Sequence, residues 1–169
     1  MTSIKENYSV SELKAILAEV TDPEIPVLNI VEMGIFRSVE YRDQQWIVWI
    51  TPTYSGCPAM AAIELEIVNT LQKHGIKNIK VKKDFSEAWT TDWMTPEAKQ
   101  KMKDYGISPP QKRSEESSPF TTSLNDLIVP CPYCDSLDTE LQSEFGSTAC
   151  KAQYFCHNCE QPFEHFKCH

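Results

Sequence analysis

The stretch QWIVWITPTYSGCPAMAAIELEIVNTLQKHGIKNIKV, residues 45–81, contains a strand, a helix and a second strand in succession. Its first seven residues are rich in β-formers, and apolar side chains recur at helical spacing over 58–74, with Gly75 as the C-terminal stop. Ile79 and Val81 supply the second strand. Because a strand–helix–strand crossover within one sheet is right-handed, the two strands should lie parallel.

The residues before this stretch extend the predicted sheet and add a helix. A β-rich run at 34–41 and a plausible turn at 42–44 indicate a strand that pairs antiparallel with the strand of 45–51. Apolar residues at helical spacing predict a helix at about 10–20, which begins with a capping box of Ser9 and Glu12. The predicted fold class is α+β, a small two-layer α/β sandwich with a mixed sheet.

The second half of the chain divides into a linker and a small module. Thr95 and Pro96 predict the start of a short helix that ends at Gly106. The following residues are mostly Ser, Pro and charged, with too little apolar surface to offset the entropy of ordering. The predicted domains are an α+β domain at 1–108, a linker at 109–128 and a metal-binding module at 129–169.

The composition of the chain argues against several classes of function. The 169-residue chain has a net charge of −8, which opposes binding to a nucleic-acid backbone. It has no apolar run of about 18 residues and its N-terminus lacks the order of a signal peptide, so we expect a cytoplasmic protein without membrane association. Because reducing compartments keep thiols free, its seven cysteines indicate metal binding or thiol chemistry rather than disulfides.

Two C-x-x-C motifs predict a four-thiolate metal site. Cys131 and Cys134 form the first, and Cys156 and Cys159 form the second after 21 intervening residues. Strand-like residues flank the second motif, as in a zinc ribbon. A rubredoxin-like iron site uses the same four thiolates, but the glycine expected after each motif is missing, which favours structural Zn²⁺.

Other cysteines and histidines surround this predicted site. They leave open a second metal or an alternative ligand set, but a single Cys or His is more often packed or on the surface than a ligand. We therefore expect Cys150 to be a packed strand residue and leave all five residues out of the predicted ligand set: Cys150, Cys168, His157, His165 and His169.

Cys57 is the candidate reactive residue of the first domain. It precedes Pro58 at the predicted helix start, where backbone amides and the helix dipole favour a thiolate. The domain's only histidine, His74, lies at the far end of that helix, so metal or cluster ligation is a better use of Cys57 than a Cys–His catalytic pair. Asp22 and Glu24 are auxiliary ligands if the fold brings them close; the residues alone favour an Asp-Pro turn with a solvated Glu.

Five strings of the sequence carry a resemblance to a known family. They are DPEIPVL at 22–28, TPTYSGCPA at 51–59, WTTDWMTP at 89–96, FGSTACKA at 145–152 and FEHFKC at 163–168. These strings resemble the PaaD family of phenylacetyl-CoA epoxidase accessory proteins. The first domain of that family is similar to SufT-type iron–sulfur assembly proteins, whose pattern includes the Asp-Pro-Glu loop and a reactive cysteine matching Cys57. The resemblance covers nearly the whole chain outside the linker.

The resemblance implies a maturation role in aerobic phenylacetate degradation. The family's genes accompany oxygenase subunits with a di-iron centre and a reductase with a 2Fe–2S cluster and flavin, which are the implied partners. The implied function is assembly or repair of one of these centres through Cys57, which would hold a transient iron or iron–sulfur cluster, without turnover of its own. Since such a cluster generally needs four ligands, we expect a shared site. Two Cys57 thiolates across a homodimer, or Cys57 and residues of a client, would supply ligands, with Asp22 or Glu24 as auxiliaries.

The sequence leaves two other functions open. One is a non-catalytic structural subunit of the multicomponent oxygenase, and the other is a thiol enzyme. The run from Trp89 to Met94 fits either a surface that binds a client or the core.

Overall fold

The structure, a computed structural model, describes residues 8–54, 56–110 and 127–167. These residues form two compact units, one ending at Trp89 and the other beginning at Thr90. No helix among the described residues is long and apolar enough to cross a membrane. The helices and strands are α1 (Val10–Leu17), β1 (Phe36–Arg42), β2 (Gln45–Ile50), α2 (Ala59–Lys73), β3 (Ile79–Lys83), α3 (Pro96–Asp104), β4 (Ile107–Ser108), β5 (Thr139–Ser143), β6 (Lys151–Cys156) and β7 (Gln161–Phe166).

The first unit contains a three-stranded sheet in the order β1-β2-β3. β1 pairs antiparallel with β2, and β3 pairs parallel with β2, with Val48 opposite Val81. α2 is the connection between the two parallel strands, and it contacts α1 and β3. The predicted mixed sheet is confirmed. Its core consists of buried apolar side chains from both helices and from β2, among them Leu13, Leu17, Val48, Ile50, Ile63, Ile67 and Leu71.

α1 begins as predicted and ends earlier. The backbone N–H of Ser9 donates to the Glu12 carboxylate at 2.7 Å, and the Glu12 N–H donates to the Ser9 hydroxyl at 3.2 Å, which completes the capping box. The helix stops at Leu17 because the next turn tightens, with the Val20 N–H bonded to the Leu17 carbonyl at 3.1 Å. The chain then enters the loop that begins at Asp22.

A two-residue turn joins β1 to β2 at the predicted position. Asp43 and Gln44 have φ values of 53° and 59°, between the paired residues Arg42 and Gln45. This is the left-handed backbone of a type I′ turn, whose twist matches that of antiparallel strands. Glycine is favoured at the second position of such turns, so the turn is strained at Gln44.

We expect Gln44→Gly to raise the free energy of unfolding of the first unit by about 1 kcal/mol, because glycine adopts this backbone without steric strain. Urea unfolding followed by tryptophan fluorescence measures the change, since three of the four tryptophans lie in this unit. The matched control is Gln45→Gly, which should destabilise the strand. A loss of stability in Gln44→Gly would contradict the turn assignment.

The second unit contains a four-stranded sheet in the order β4-β7-β6-β5. β4 is parallel to β7, whereas the other two pairs are antiparallel. Thr95 caps α3 and Pro96 opens it, as predicted, with the Ala98 N–H bonded to the Thr95 hydroxyl at 3.1 Å. The buried cluster of the unit consists of Val129, Cys131, Ala152, Tyr154, Cys156 and Phe163.

This division differs from the predicted domain boundary at residue 108. Ile107 and Ser108 pair with Glu164 and His165 of β7, so β4 belongs to the sheet of the second unit. A strand of two residues has no periodic pattern from which it could be predicted. Most of the predicted linker, residues 111–126, lies outside the described residues.

The run from Trp89 to Met94 contains core residues. Trp89 is only 4% exposed and its indole N–H donates to the Met33 carbonyl at 3.0 Å within the first unit. Met94 is equally buried, while Asp92 is exposed. A client-binding surface centred on Trp89 is therefore excluded.

Candidate functional site

The structure brings the four predicted metal-binding cysteines together. Their Sγ atoms all lie within 4.8 Å of one another. The distance from Cys131 to Cys159 is 3.6 Å, and that from Cys134 to Cys156 is also 3.6 Å. Four thiolates around one Zn²⁺ at about 2.3 Å would be roughly 3.8 Å apart in a tetrahedron. In the part of the chain that the structure describes, this is the one group of three or more potential ligands so closely placed, and its geometry fits a single tetrahedral zinc.

Two turns position these sulfurs. In the first motif, the Cys131 N–H donates to the Ser136 carbonyl at 2.9 Å, and the Asp135 N–H donates to the Cys131 carbonyl at 3.0 Å. In the second motif, Cys156 is the last residue of β6, and the turn that contains Cys159 leads into β7. The antiparallel pairing of β5 with β6 then places the two motifs side by side.

Without a cation, the pKa shifts of Cys134, Cys159 and Cys131 differ in direction. Hydrogen bonds, first from the backbone N–H of Ser136 and then from the Asn158 amide, lower the pKa of Cys134 to about 6. Desolvation and the neighbouring sulfurs raise the pKa of Cys159 to about 12, and burial raises the pKa of Cys131. A bound dication favours the thiolate form because it compensates the negative charge on sulfur. Metal binding and ionisation of the thiols therefore occur together.

The residue after each motif has a left-handed backbone. Asp135 has a φ of 59° and Glu160 a φ of 56°. This is the conformation that glycine adopts most readily, and here two other residues adopt it. The turn after each motif therefore forms without a glycine.

The neighbouring histidines and cysteine are not part of this group. His165 is buried and its Nδ1–H donates to the Ser108 carbonyl at 3.2 Å; desolvation lowers the pKa of His165 to about 4. Cys150 is buried as well, whereas His157 is on the surface and pairs with Glu140 at 3.3 Å. These contacts agree with structural roles. The other two residues near the motifs that were not predicted as ligands lie outside the described residues: Cys168 and His169.

Cys57 lies where β2 has ended and α2 is about to begin. Its N–H donates to the Tyr54 carbonyl at 3.2 Å, and its own carbonyl accepts from Met60 at 3.3 Å, so the residue is fixed at the helix start. Pro58 is the cap and Ala59 the first helical residue, one position later than predicted. The thiol is partly buried.

The loop that begins at Asp22 presents two carboxylates to this region. Asp22 is buried, and its Oδ1 accepts hydrogen bonds from the backbone N–H groups of Glu24 at 2.7 Å and Ile25 at 3.0 Å. The Asp22 N–H donates to the Leu28 carbonyl at 2.9 Å, which closes the loop. The turn-forming role weighed for Asp22 is thus present. Glu24, however, is half-buried rather than fully solvated.

The protein environment keeps the Cys57 thiol protonated. Desolvation raises the pKa of Cys57 above its ordinary value, and the charges of Glu24 and Asp22 raise it further. Hydrogen bonds from the Ala59 N–H and the Thr53 hydroxyl lower it, but burial dominates. The helix start alone does not produce the expected thiolate. The fold nevertheless brings Cys57 and both carboxylates within electrostatic reach.

Thr53 is the site residue that sequence reasoning missed. It is buried, and its hydroxyl donates a hydrogen bond to the Cys57 sulfur. Its one signal in the sequence is its place in the string TPTYSGCP, which does not show where the side chain points. Cys57, Asp22 and Glu24 form no tight three-ligand set comparable to the C-terminal cysteines among the described residues. A metal held at Cys57 therefore needs further ligands.

We expect Cys131→Ser to reduce bound zinc from about one ion per chain to almost none, because the buried thiolate is both a ligand and part of the packed core of the second unit. Elemental analysis after gel filtration measures the zinc. Cys150→Ala is the control, since Cys150 is buried outside the group. Retention of a full equivalent of zinc by Cys131→Ser would contradict the assignment.

We expect the rate of Cys57 alkylation to rise with pH past the ordinary range of a free thiol, because its raised pKa leaves less thiolate at pH 8. Glu24→Gln removes a negative charge, so it should lower the pKa of Cys57 and speed alkylation at pH 8 by roughly twofold or more. Mass spectrometry of the Cys57 peptide measures the rate.

The control for this charge effect is Glu19→Gln. Glu19 pairs at 3.0 Å with His74, at the opposite end of α2 from Cys57. Its removal should leave the Cys57 alkylation rate unchanged. An equal or slower rate in Glu24→Gln than in the wild type would show that Glu24 does not act on the thiol.

Comparison with protein families assigns both halves of the chain. Residues 11–82 match the family described as iron–sulfur cluster assembly protein. Residues 115–167 match the family described as PaaD zinc beta ribbon domain. The first match includes Asp22, Glu24 and Cys57, and the second includes all four clustered cysteines. The chain therefore contains a zinc ribbon domain, and the four-cysteine cluster lies within it.

Two solved structures and one curated protein are similar to this chain. A domain of unknown function, DUF59, from Bacillus anthracis is 26% identical, with a TM-score of 0.49, over 53% of this chain and 86% of that chain. A conserved hypothetical protein from Thermotoga maritima is 25% identical, with a TM-score of 0.49, over 59% and 98%. A putative subunit of the 1,2-phenylacetyl-CoA epoxidase of Escherichia coli K12 is 44% identical over 94% of this chain and 93% of its own length. The chain therefore belongs to the PaaD family of phenylacetyl-CoA epoxidase subunits.

Proposed function

We propose that this protein assists the assembly or repair of an iron–sulfur or di-iron centre in the phenylacetyl-CoA epoxidase system, in the cytoplasm, and that it acts through Cys57. The observation that carries the proposal is the placement of the Cys57 thiol at the start of α2, with the charges of Glu24 and Asp22 acting on it. The match of residues 11–82 to iron–sulfur assembly proteins supports the same role.

The chemistry of this environment suits a metal carrier better than a nucleophile. A thiol kept protonated by burial and by two carboxylates is a weak nucleophile at neutral pH. The same negative charges attract Fe²⁺, and coordination replaces the proton on sulfur. Because the thiol is only partly buried, it stays accessible to a client. A thiol enzyme is therefore the least supported of the three functions.

A shared site follows from the number of ligands. An iron–sulfur cluster generally takes four protein ligands, and Cys57 supplies one. The remainder would come from a second copy of this chain or from the client. Glu24 is the auxiliary ligand that we favour, since the Asp22 Oδ1 already accepts two backbone hydrogen bonds that shape the loop. An incomplete site also favours release of the cargo.

The second unit has a structural part in this proposal. Cys131, Cys134, Cys156 and Cys159 would hold one Zn²⁺ permanently and keep the ribbon folded. The partners would be the oxygenase or reductase components of the epoxidase. This protein would carry out no turnover itself.

A second candidate function is that of a non-catalytic structural subunit. The name of the Escherichia coli relative, which calls it a putative subunit of the epoxidase, favours this function. A structural subunit would copurify with the oxygenase in a fixed ratio and would be needed in every turnover. An assembly factor would be dispensable once the client holds its metal.

In the deciding experiment, metal-depleted oxygenase and reductase are reconstituted with iron and sulfide, and the recovery of their metal centres is followed. Four conditions are compared: no added protein, wild type, Cys57→Ser and Cys150→Ala. We expect faster recovery of clusters and of epoxidation with wild type and Cys150→Ala than with Cys57→Ser, which should resemble the reaction without added protein. Equal recovery in all four conditions would refute the maturation role.

A further inference from the structure

β3 forms one edge of the sheet in the first unit, and neither the zinc ribbon nor the proposed role of Cys57 uses this edge. The strand is last in the order β1-β2-β3 and pairs with β2 alone. All of its residues, Ile79–Lys83, are at least partly exposed. Among the described residues no strand covers its second side, which is therefore open to an added strand.

Three residues of β3 direct their backbone groups to this open side. The Trp46 N–H donates to the Asn78 carbonyl at 2.8 Å, so the backbone of Asn78 faces β2. Because successive residues of a strand direct their backbone groups to opposite sides, Lys80 and Lys82 also face β2. The N–H and C=O groups that point outward are those of Ile79, Val81 and Lys83. An added strand can form ladder hydrogen bonds with them.

The charge of this edge is opposite to that of the chain. Positions 73–83 carry five of the chain's 16 lysines and arginines and no acidic residue, although the net charge is −8. Lys80 is exposed, and the Lys82 Nζ lies 4.9 Å from the centre of the Trp49 ring. Neither ammonium forms an ion pair with a described carboxylate. Glu40 lies beyond β2 on β1 and accepts from the Trp49 indole N–H at 3.3 Å. Both lysines can therefore pair with acidic side chains of an added strand.

The side chains of β3 alternate between two different surfaces. Lys80 and Lys82 share one face of the sheet. Ile79 and Val81 share the other face, where Val81 lies opposite the buried Val48, and both are only half-buried. A strand that pairs with β3 therefore meets ammonium groups on one face and aliphatic surface on the other. Acidic residues that alternate with aliphatic ones match both faces.

A second copy of β3 does not match this edge. Antiparallel pairing of two copies about Val81 would place Lys80 of one copy opposite Lys82 of the other, and like charges directly opposite each other destabilise a sheet. Lysines on edge strands prevent such self-pairing but admit a strand of opposite charge. We propose that β3 binds an extended acidic segment of a partner protein. The segment adds a fourth strand to the sheet, with its carboxylates facing Lys80 and Lys82.

Amide hydrogen exchange of the zinc-loaded full chain, followed by NMR, tests this site with the blocked peptide TEVEVET. The glutamates of this peptide share one face of a strand and its valines share the other. We expect saturable binding with a dissociation constant on the order of 1 mM at low salt. Near saturation, exchange should slow at least roughly threefold at the outward amides of Ile79, Val81 and Lys83. The amides of Lys80 and Lys82, which already bond to β2, should not change. The charge-reversed peptide TKVKVKT should show no saturation below about 10 mM.

Lys80→Gln/Lys82→Gln is the decisive variant, because it removes both charges and keeps the backbone edge. We expect it to raise the dissociation constant of TEVEVET roughly fivefold. Lys14→Gln/Lys101→Gln changes the net charge equally at exposed positions on α1 and α3, so it should keep the wild-type value within about twofold.

Four results would overturn the proposal. The first is binding of TEVEVET without slower exchange at the three outward amides. The second is an unchanged affinity in Lys80→Gln/Lys82→Gln, and the third is no saturation below about 10 mM. The fourth is binding of TKVKVKT, or of a short single-stranded DNA, as tight as that of TEVEVET, because the edge would then not select an acidic strand.

Discussion

The parallel pairing of β2 with β3 is the constraint on which the first unit depends. Two parallel neighbours cannot be joined by a tight turn, so the chain must cross over the sheet, and it does so through α2. The crossover places the junction between β2 and α2 at the carboxyl end of the central strand. Cys57 occupies that junction, at the edge of an α/β sheet where ligands commonly bind. The position of the thiol is thus a consequence of sheet topology.

The second unit depends on its sulfurs in a different way. Cys131 and Cys156 are completely buried and belong to the packed cluster with Tyr154 and Phe163. Two of the four predicted zinc ligands are therefore also core residues. A core this small contributes little stability, and a structural zinc supplies what is missing. Loss of one ligand should remove metal and packing together.

Much of this fold could be predicted from the sequence because its signals are local. The capping box at Ser9, the apolar face of α2 and the paired C-x-x-C motifs each lie within a few residues. The burial of Trp89 could not be predicted, since its partner, the Met33 carbonyl, is distant in the chain. The two-residue strand β4 was missed for the same reason, because β7 alone makes it a strand.

The position of Cys57 at a helix start could be predicted from the sequence, but its electrostatic environment could not. Cys57 at a helix start indicated a thiolate, but desolvation and the charge of Glu24 outweigh the helix amides. Burial and long-range charge are tertiary properties, so no pattern around Cys57 could reveal them. The same limit applies to Thr53, whose contact with the sulfur follows from the path of the loop.

The most direct test of the account is iron binding by the zinc-loaded protein under anaerobic conditions. Wild type, Cys57→Ser and Cys150→Ala are incubated with Fe²⁺ and sulfide, separated from free metal and analysed for iron and zinc by elemental analysis and Mössbauer spectroscopy. We expect thiolate-bound iron in wild type and Cys150→Ala, its loss in Cys57→Ser, and unchanged zinc in all three. Retention of the same iron by Cys57→Ser would contradict it.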